Sequence, residues 1–136
     1  MKRERLQDII VACDAQVTVQ EAEALGKDLA RKLSTNQIRN IFGTVRRIEM
    51  NWPERPKDDA ERQSAAQAQR ELLLLKPKMA YQAKRERGKG VQTLTDVLAE
   101  AIDLIDIDQE EAREQFQHFV DFFEAVLAYH KAHGGN

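Results

Sequence analysis

Between Lys76 and Gly90 six basic residues, Lys76, Lys78, Lys84, Arg85, Arg87 and Lys89, stand against one acid, Glu86. Cations at that density suit phosphates, the lysines as point charges and the arginines with two donors at once. Lys78, Tyr81 and Arg85 follow the i, i+3, i+7 spacing of a shared helical face, and Lys84 with Arg87 form a second pair. Two cationic ridges with one tyrosine fit a nucleic-acid backbone. The ring either stacks on a base or packs beneath a bend of its own helix. A further basic pair, Arg39 and Arg46, falls within about 20° on a helix turning 100° per residue. Gly43 lies close to that line, where a glycine lets a phosphate approach the backbone. Each set also reads as an ordinary solvated face with a tolerated glycine.

Catalytic chemistry finds less material. Glu114 and His118 are spaced i, i+4, which can aim a carboxylate and an imidazole at one metal ion. A carboxylate-bridged pair of metals needs matching Glu and Glu-x-x-His elements on other helices, and these are missing. Cys13 is the single cysteine, so an internal disulfide and a cysteine metal knot are both excluded. Ser64 has no base beside it, and there is no glycine-rich phosphate loop. The expectation is no catalytic residue, no metal and no cofactor.

Helices must position these residues. The 136-residue chain is 42% hydrophobic and 32% charged, with few glycines and prolines, a helical composition for one core. Residues 4–13 form an amphipathic helix with Leu6, Ile9, Ile10 and Cys13 inward, Cys13 as a small core residue. Thr18 caps a second helix, boxed by Glu21, with Ala22, Leu25, Leu29 and Leu33 apolar. Ser34 or Thr35 caps a third, whose stripe is Ile38, Ile41, Phe42, Val45, Ile48 and Trp52. Pro53 and Pro56 end it. Residues 53–69 are polar and are expected as a flexible loop that turns helical near Asp58 or Asp59. Leu72–Leu75 would line a helix all round, which predicts burial between other helices. Pro77 predicts a kink or restart, and Gly88 and Gly90 an end.

Val91–Ile107 forms another helix, with Leu94, Val97, Leu98, Ala101, Ile102 and Ile105 inward. Asp108 and Glu111 cap and box the last one, which carries Ala112, Phe116, Phe119, Val120, Phe123, Val126 and Leu127 and stops at Gly134 and Gly135. No strand pattern and no repeat is present. The fold expected is an all-α single-domain bundle of five or six helices over residues 1–136. No apolar stretch is long enough for a bilayer and the N-terminus has no secretory pattern, so a cytoplasmic protein is the default.

Charge divides along the chain. From Val91 to Asn136 ten acids face two bases, a net −8, so residues 1–90 carry +6 of the overall −2. A basic part fit for a polyanion is joined to an acidic part fit for a basic partner.

Two segments are familiar. Leu74-Leu75-Lys76-Pro77-Lys78-Met79-Ala80-Tyr81 resembles the Leu-Lys-Pro-Lys-Leu-Ala-Tyr signature of the small subunit of type III-A (Csm-type) CRISPR effector complexes. Phe119 to Lys131 is similar to that family's C-terminal helix, and Thr35-Asn36-Gln37-Ile38-Arg39 to one of its helix starts. The resemblance covers roughly Ser34 to His133. Where the family often has Ala-Ala-Gly-Arg after the tyrosine, this chain has Gln82-Ala83-Lys84-Arg85; the glycine is replaced and the arginine kept.

The resemblance implies a non-catalytic helical subunit, several copies of which line a ribonucleoprotein beside guide RNA and target RNA. Its partners would be those RNAs, other subunits of the complex and copies of itself, with no membrane. Arg39, Arg46, Lys76, Lys78, Lys84, Arg85, Arg87 and Lys89 are the candidate RNA contacts. The rival readings are a stand-alone helical adaptor that never touches RNA, and a small metal enzyme built on His118 and Glu114.

Overall fold

The computed structural model describes residues 1–86 and 88–136. Six helices follow one another: α1 Arg3–Ile10, α2 Ala15–Ala30, α3 Thr35–Met50, α4 Asp59–Arg85, α5 Gly90–Asp103 and α6 Ala112–Ala132. No strand occurs among the described residues. The architecture is the expected all-α bundle.

The last helix is the core's spine. Phe116, Phe119, Phe122 and Phe123 are all fully buried on α6; Phe122 completes a row whose other three members the sequence pattern had placed. Trp52 stacks on Phe116 at 5.0 Å, and Phe42 meets Phe123 edge-on at 5.1 Å. These geometries match the favourable arrangements of aromatic pairs. Helix α2 packs most extensively on α6, with α3 and α1 beside it, while α4 packs on α5 and α3. Gly26 makes the α2–α6 approach possible. A Cβ there would lie 2.7 Å from the Tyr129 Cβ and 2.8 Å from both the His130 nitrogen and the Val126 oxygen.

Capping explains several helix starts. Ser34 accepts the Gln37 N–H while the Gln37 side chain accepts the Ser34 N–H, a complete capping box. Asp58 accepts the Glu61 N–H at the start of α4. The stretch 53–69 therefore divides: it is non-helical up to Asp58, and from Asp59 it is the first part of α4.

Several local expectations are corrected. Helix α2 starts earlier than Thr18, because Asp14 caps it by accepting the Val17 N–H, and the Thr18 hydroxyl donates to the Asp14 carbonyl from within the helix. Cys13 is exposed, with φ 54°, in the link between α1 and α2. Its helical spacing was real, but α1 stops at Ile10, so Cys13 serves the turn instead of the core. The Asp108–Glu111 box does not form. Helix α6 starts at Ala112 without a side-chain cap, and its Gln115 reaches back to accept the Asp106 N–H.

The leucine run is half exposed: Leu72 and Leu75 are buried, whereas Leu73 and Leu74 keep 47% and 44% of their surface. Helix α4 thus lies at the edge of the bundle, not inside it. Pro77 does not break it. Pro77 and Leu73, whose carbonyl loses its donor, are both exposed, so water can serve that carbonyl.

Candidate nucleic-acid interface

Helix α4 presents its basic residues on different sides. Lys78, Lys84 and Arg85 are exposed. Tyr81 is 66% exposed, and the Arg85 guanidinium lies 5.6 Å from its ring centroid. That contact holds ring and charge as one unit on the outer face; the ring is not packed beneath a bend. Lys84 precedes Arg85 by one residue, so it points about 100° away. Lys76 turns toward α5 and pairs with Asp103, which commits part of its charge within the fold. Lys89 is exposed at the N-cap position of α5. Arg87 lies outside the described residues.

On α3, Arg39 is exposed. Arg46 is exposed too, but it is held by Glu49 at 2.7 Å and sits 5.9 Å from the Phe42 ring centroid. Arg39 and Arg46 share a ridge, as their spacing predicts. That ridge is not the one facing α4. The residue that faces α4 is Arg47, which the sequence reading passed over. Arg47 and Lys78 line opposite walls of a groove of about 260 Å³ between α3 and α4, together with Asn40, Thr44 and Gln82. The available signal was Asn40, Gly43 and Arg47 at i, i+3, i+7. It was masked by the more conspicuous arginine pair seven residues apart. Gly43 is open as expected, since a Cβ there would meet nothing within 4 Å.

No ion pair among the described residues involves Arg39, Arg47, Lys78, Lys84, Arg85 or Lys89. These cations remain available to an outside anion. The α3–α4 groove and the outer ridge of α4 are continuous, because Lys78, Gln82 and Arg85 lie one or two turns apart on α4.

The residues considered for catalysis are occupied structurally. Nδ1 of His118 lies 2.7 Å from the Ile10 carbonyl at the end of α1, while its Nε2 is 4.0 Å from Glu114. His130 is fully buried with Nε2 2.6 Å from the Leu33 carbonyl. His118 ties α6 to the C-terminal end of α1, where carbonyls lack helical donors, and His130 ties it to the link between α2 and α3. The Ser64 hydroxyl donates to the Asn51 carbonyl at 2.6 Å. Among the described residues no three His, Cys, Asp or Glu side chains gather as a metal site. A hollow of about 470 Å³ is lined by Glu54, Arg55, Glu110, Arg113, Glu114 and Gln117. Its lining mixes three carboxylates with two guanidinium groups. No helix of the described residues is long and apolar enough to cross a membrane.

A family model described as Csm2 Type III-A matches residues 12–136, nearly the whole chain. No curated protein and no solved structure matches.

Proposed function

We propose that this chain, which belongs to the Csm2 Type III-A family, uses the α3–α4 face to hold RNA by its phosphates. The family is that of a structural small subunit of type III-A CRISPR complexes, so other subunits of such a complex are its partners. Guide RNA and target RNA are the ligands proposed for the basic face, and copies of the chain are proposed neighbours in an inner filament. In this reading the subunit catalyses nothing itself.

The observation that carries the proposal is a set of three cations toward the α3–α4 groove, Arg47, Lys78 and Arg85, with no ion-pair partner among the described residues. Arg47 and Lys78 flank the groove, and Arg85 continues it on the outer ridge. A cation held by no carboxylate adds little to the stability of the fold, yet neutralising a phosphate releases bound counterions and favours association. Contacts of this kind recognise the backbone and leave sequence to guide–target pairing, a division of labour known in other RNA-guided systems. The charge split along the chain supports self-association, because the acidic half of one copy complements the basic half of the next. A heterologous contact that does not close generates a filament.

The test is the RNA affinity of the assembled complex as a function of salt. Each lost phosphate contact lowers the log–log slope by about 0.7 for single strands, alike for unrelated sequences. Lys84→Ala, Arg85→Ala and Arg47→Ala are each expected to do so without loss of helicity. If all three leave affinity and slope unchanged in a complex of normal composition, the basic face is a solvated surface and the adaptor reading prevails.

A further inference from the structure

Resting on the RNA reading above, we infer that the groove between α3 and α4 takes one unpaired nucleobase of the bound RNA, with Arg47 and Lys78 on its flanking phosphates. The groove is too well equipped for phosphate alone. Its floor includes Leu75 and Met79, both buried. Both side chains keep only a few per cent of their surface, so the floor offers a narrow apolar edge, enough for the rim of a base ring and of no use to a phosphate.

Above the floor stand two amides, Asn40 on α3 and Gln82 on α4. Neither side chain takes part in the amide hydrogen bonds found among the described residues. Each amide carries an acceptor oxygen and two donors, the complement of a base edge. Unpaired bases are recognised in this way, by a packed face and a hydrogen-bonded edge. Size favours a fragment: about 260 Å³ falls below the roughly 300–1,000 Å³ of pockets for drug-sized ligands. A partner helix would need a longer apolar trough. The cations complete the match, one on each wall, where the phosphates on either side of an inserted base would lie.

Ultraviolet cross-linking of the assembled complex, read by mass spectrometry, tests this because zero-length adducts report contacts to bases. The expected result is a nucleotide adduct on the peptide spanning residues 40–47 or the one spanning 75–82. Thr44→Trp, which plugs the groove without altering charge, lowers that yield by roughly fivefold or more, the scale of one base contact. The double variant Asn40→Ala, Gln82→Ala does the same and covers the case in which the tryptophan disturbs the packing. Adducts that form only elsewhere, or yields that neither variant changes, overturn the inference and leave the phosphate reading standing. Chemical cross-links that place another subunit's side chain in the groove, without base adducts, also overturn it. A complex that carries no RNA at all overturns both readings, and is recognised before any cross-link is made.

Discussion

The same substitution at two glycines is expected to move stability in opposite directions. Alanine is better than glycine inside a helix by about 1 kcal/mol. At Gly43 nothing opposes that gain, because an added Cβ meets no atom within 4 Å. Gly43→Ala should therefore stabilise the protein by about 1 kcal/mol. At Gly26 the added methyl arrives 2.7–2.8 Å from the Tyr129 Cβ and from the backbone of Val126 and His130. Two of those three atoms belong to the backbone of α6 and cannot rotate away. The pair α2–α6 is the most extensive helix contact in the bundle, so separating it also loosens what is packed around Phe122 and Phe123. Overpacking of a core costs about 1–3 kcal/mol, and an obstacle of backbone belongs at the upper end. After the gain in propensity, Gly26→Ala should cost about 2 kcal/mol. At this chain length 1 kcal/mol is worth roughly 3–5 °C in Tm, so the two variants should lie about 9–15 °C apart. Thermal unfolding followed by circular dichroism measures the difference. A Gly26→Ala protein as stable as the parent would refute the packing argument for α2 and α6. The same Gly43→Ala variant should bind RNA less well in the complex despite its greater stability, if RNA approaches the backbone there.

Phe123→Ala should destabilise by about 3–5 kcal/mol, since the ring is fully buried against Phe42 and Phe119; denaturant unfolding would show it as a lower midpoint. Pro77→Ala should stabilise α4 by about 1–3 kcal/mol by restoring a backbone donor inside an unbroken helix, and an unchanged or lower midpoint would show that the proline is accommodated without cost. Neutralising Asp103, Asp106 and Glu110 together should shorten self-assemblies at low salt, as counted in electron micrographs, and much less at high salt where such contacts are already screened; equal lengths would count against charge-led assembly.

Much of the fold was legible because it depends on period. The stripes of α3, α5 and α6 fall on buried residues, from Ile38 through Trp52 and from Leu94 through Ile105, with Phe42 and Leu127 partly buried. What escaped depends on which residue ends a helix and on what covers a face. Cys13 continued an apolar spacing, yet nothing in that spacing says that the chain turns after Ile10. Leu72–Leu75 show the second limit: four leucines fix that the helix is apolar all round, while the number of neighbours to cover it is a property of the whole bundle. The candidate site divides in the same way. Its charges were visible in sequence, but the pairing that removes Lys76 and restrains Arg46 is tertiary, and so is the facing of Arg47 with Lys78.

That division bears on which charges matter. Lys76 and Arg46 each have a carboxylate within the chain, so in the proposed RNA interface a phosphate would have to compete with Asp103 or Glu49 before it gains them. Arg47, Lys78 and Arg85 face no such competitor among the described ion pairs. Counterion release acts on the charges an anion can reach, so the unpaired set should set the salt slope and the paired set should change it little. Substituting Lys76 or Arg46 removes a phosphate donor and at the same time frees an acid of opposite sign beside the RNA. The penalty from those two positions is then repulsion more than lost attraction, and replacing Glu49 or Asp103 by its amide should strengthen binding where a bland solvated face would show no change.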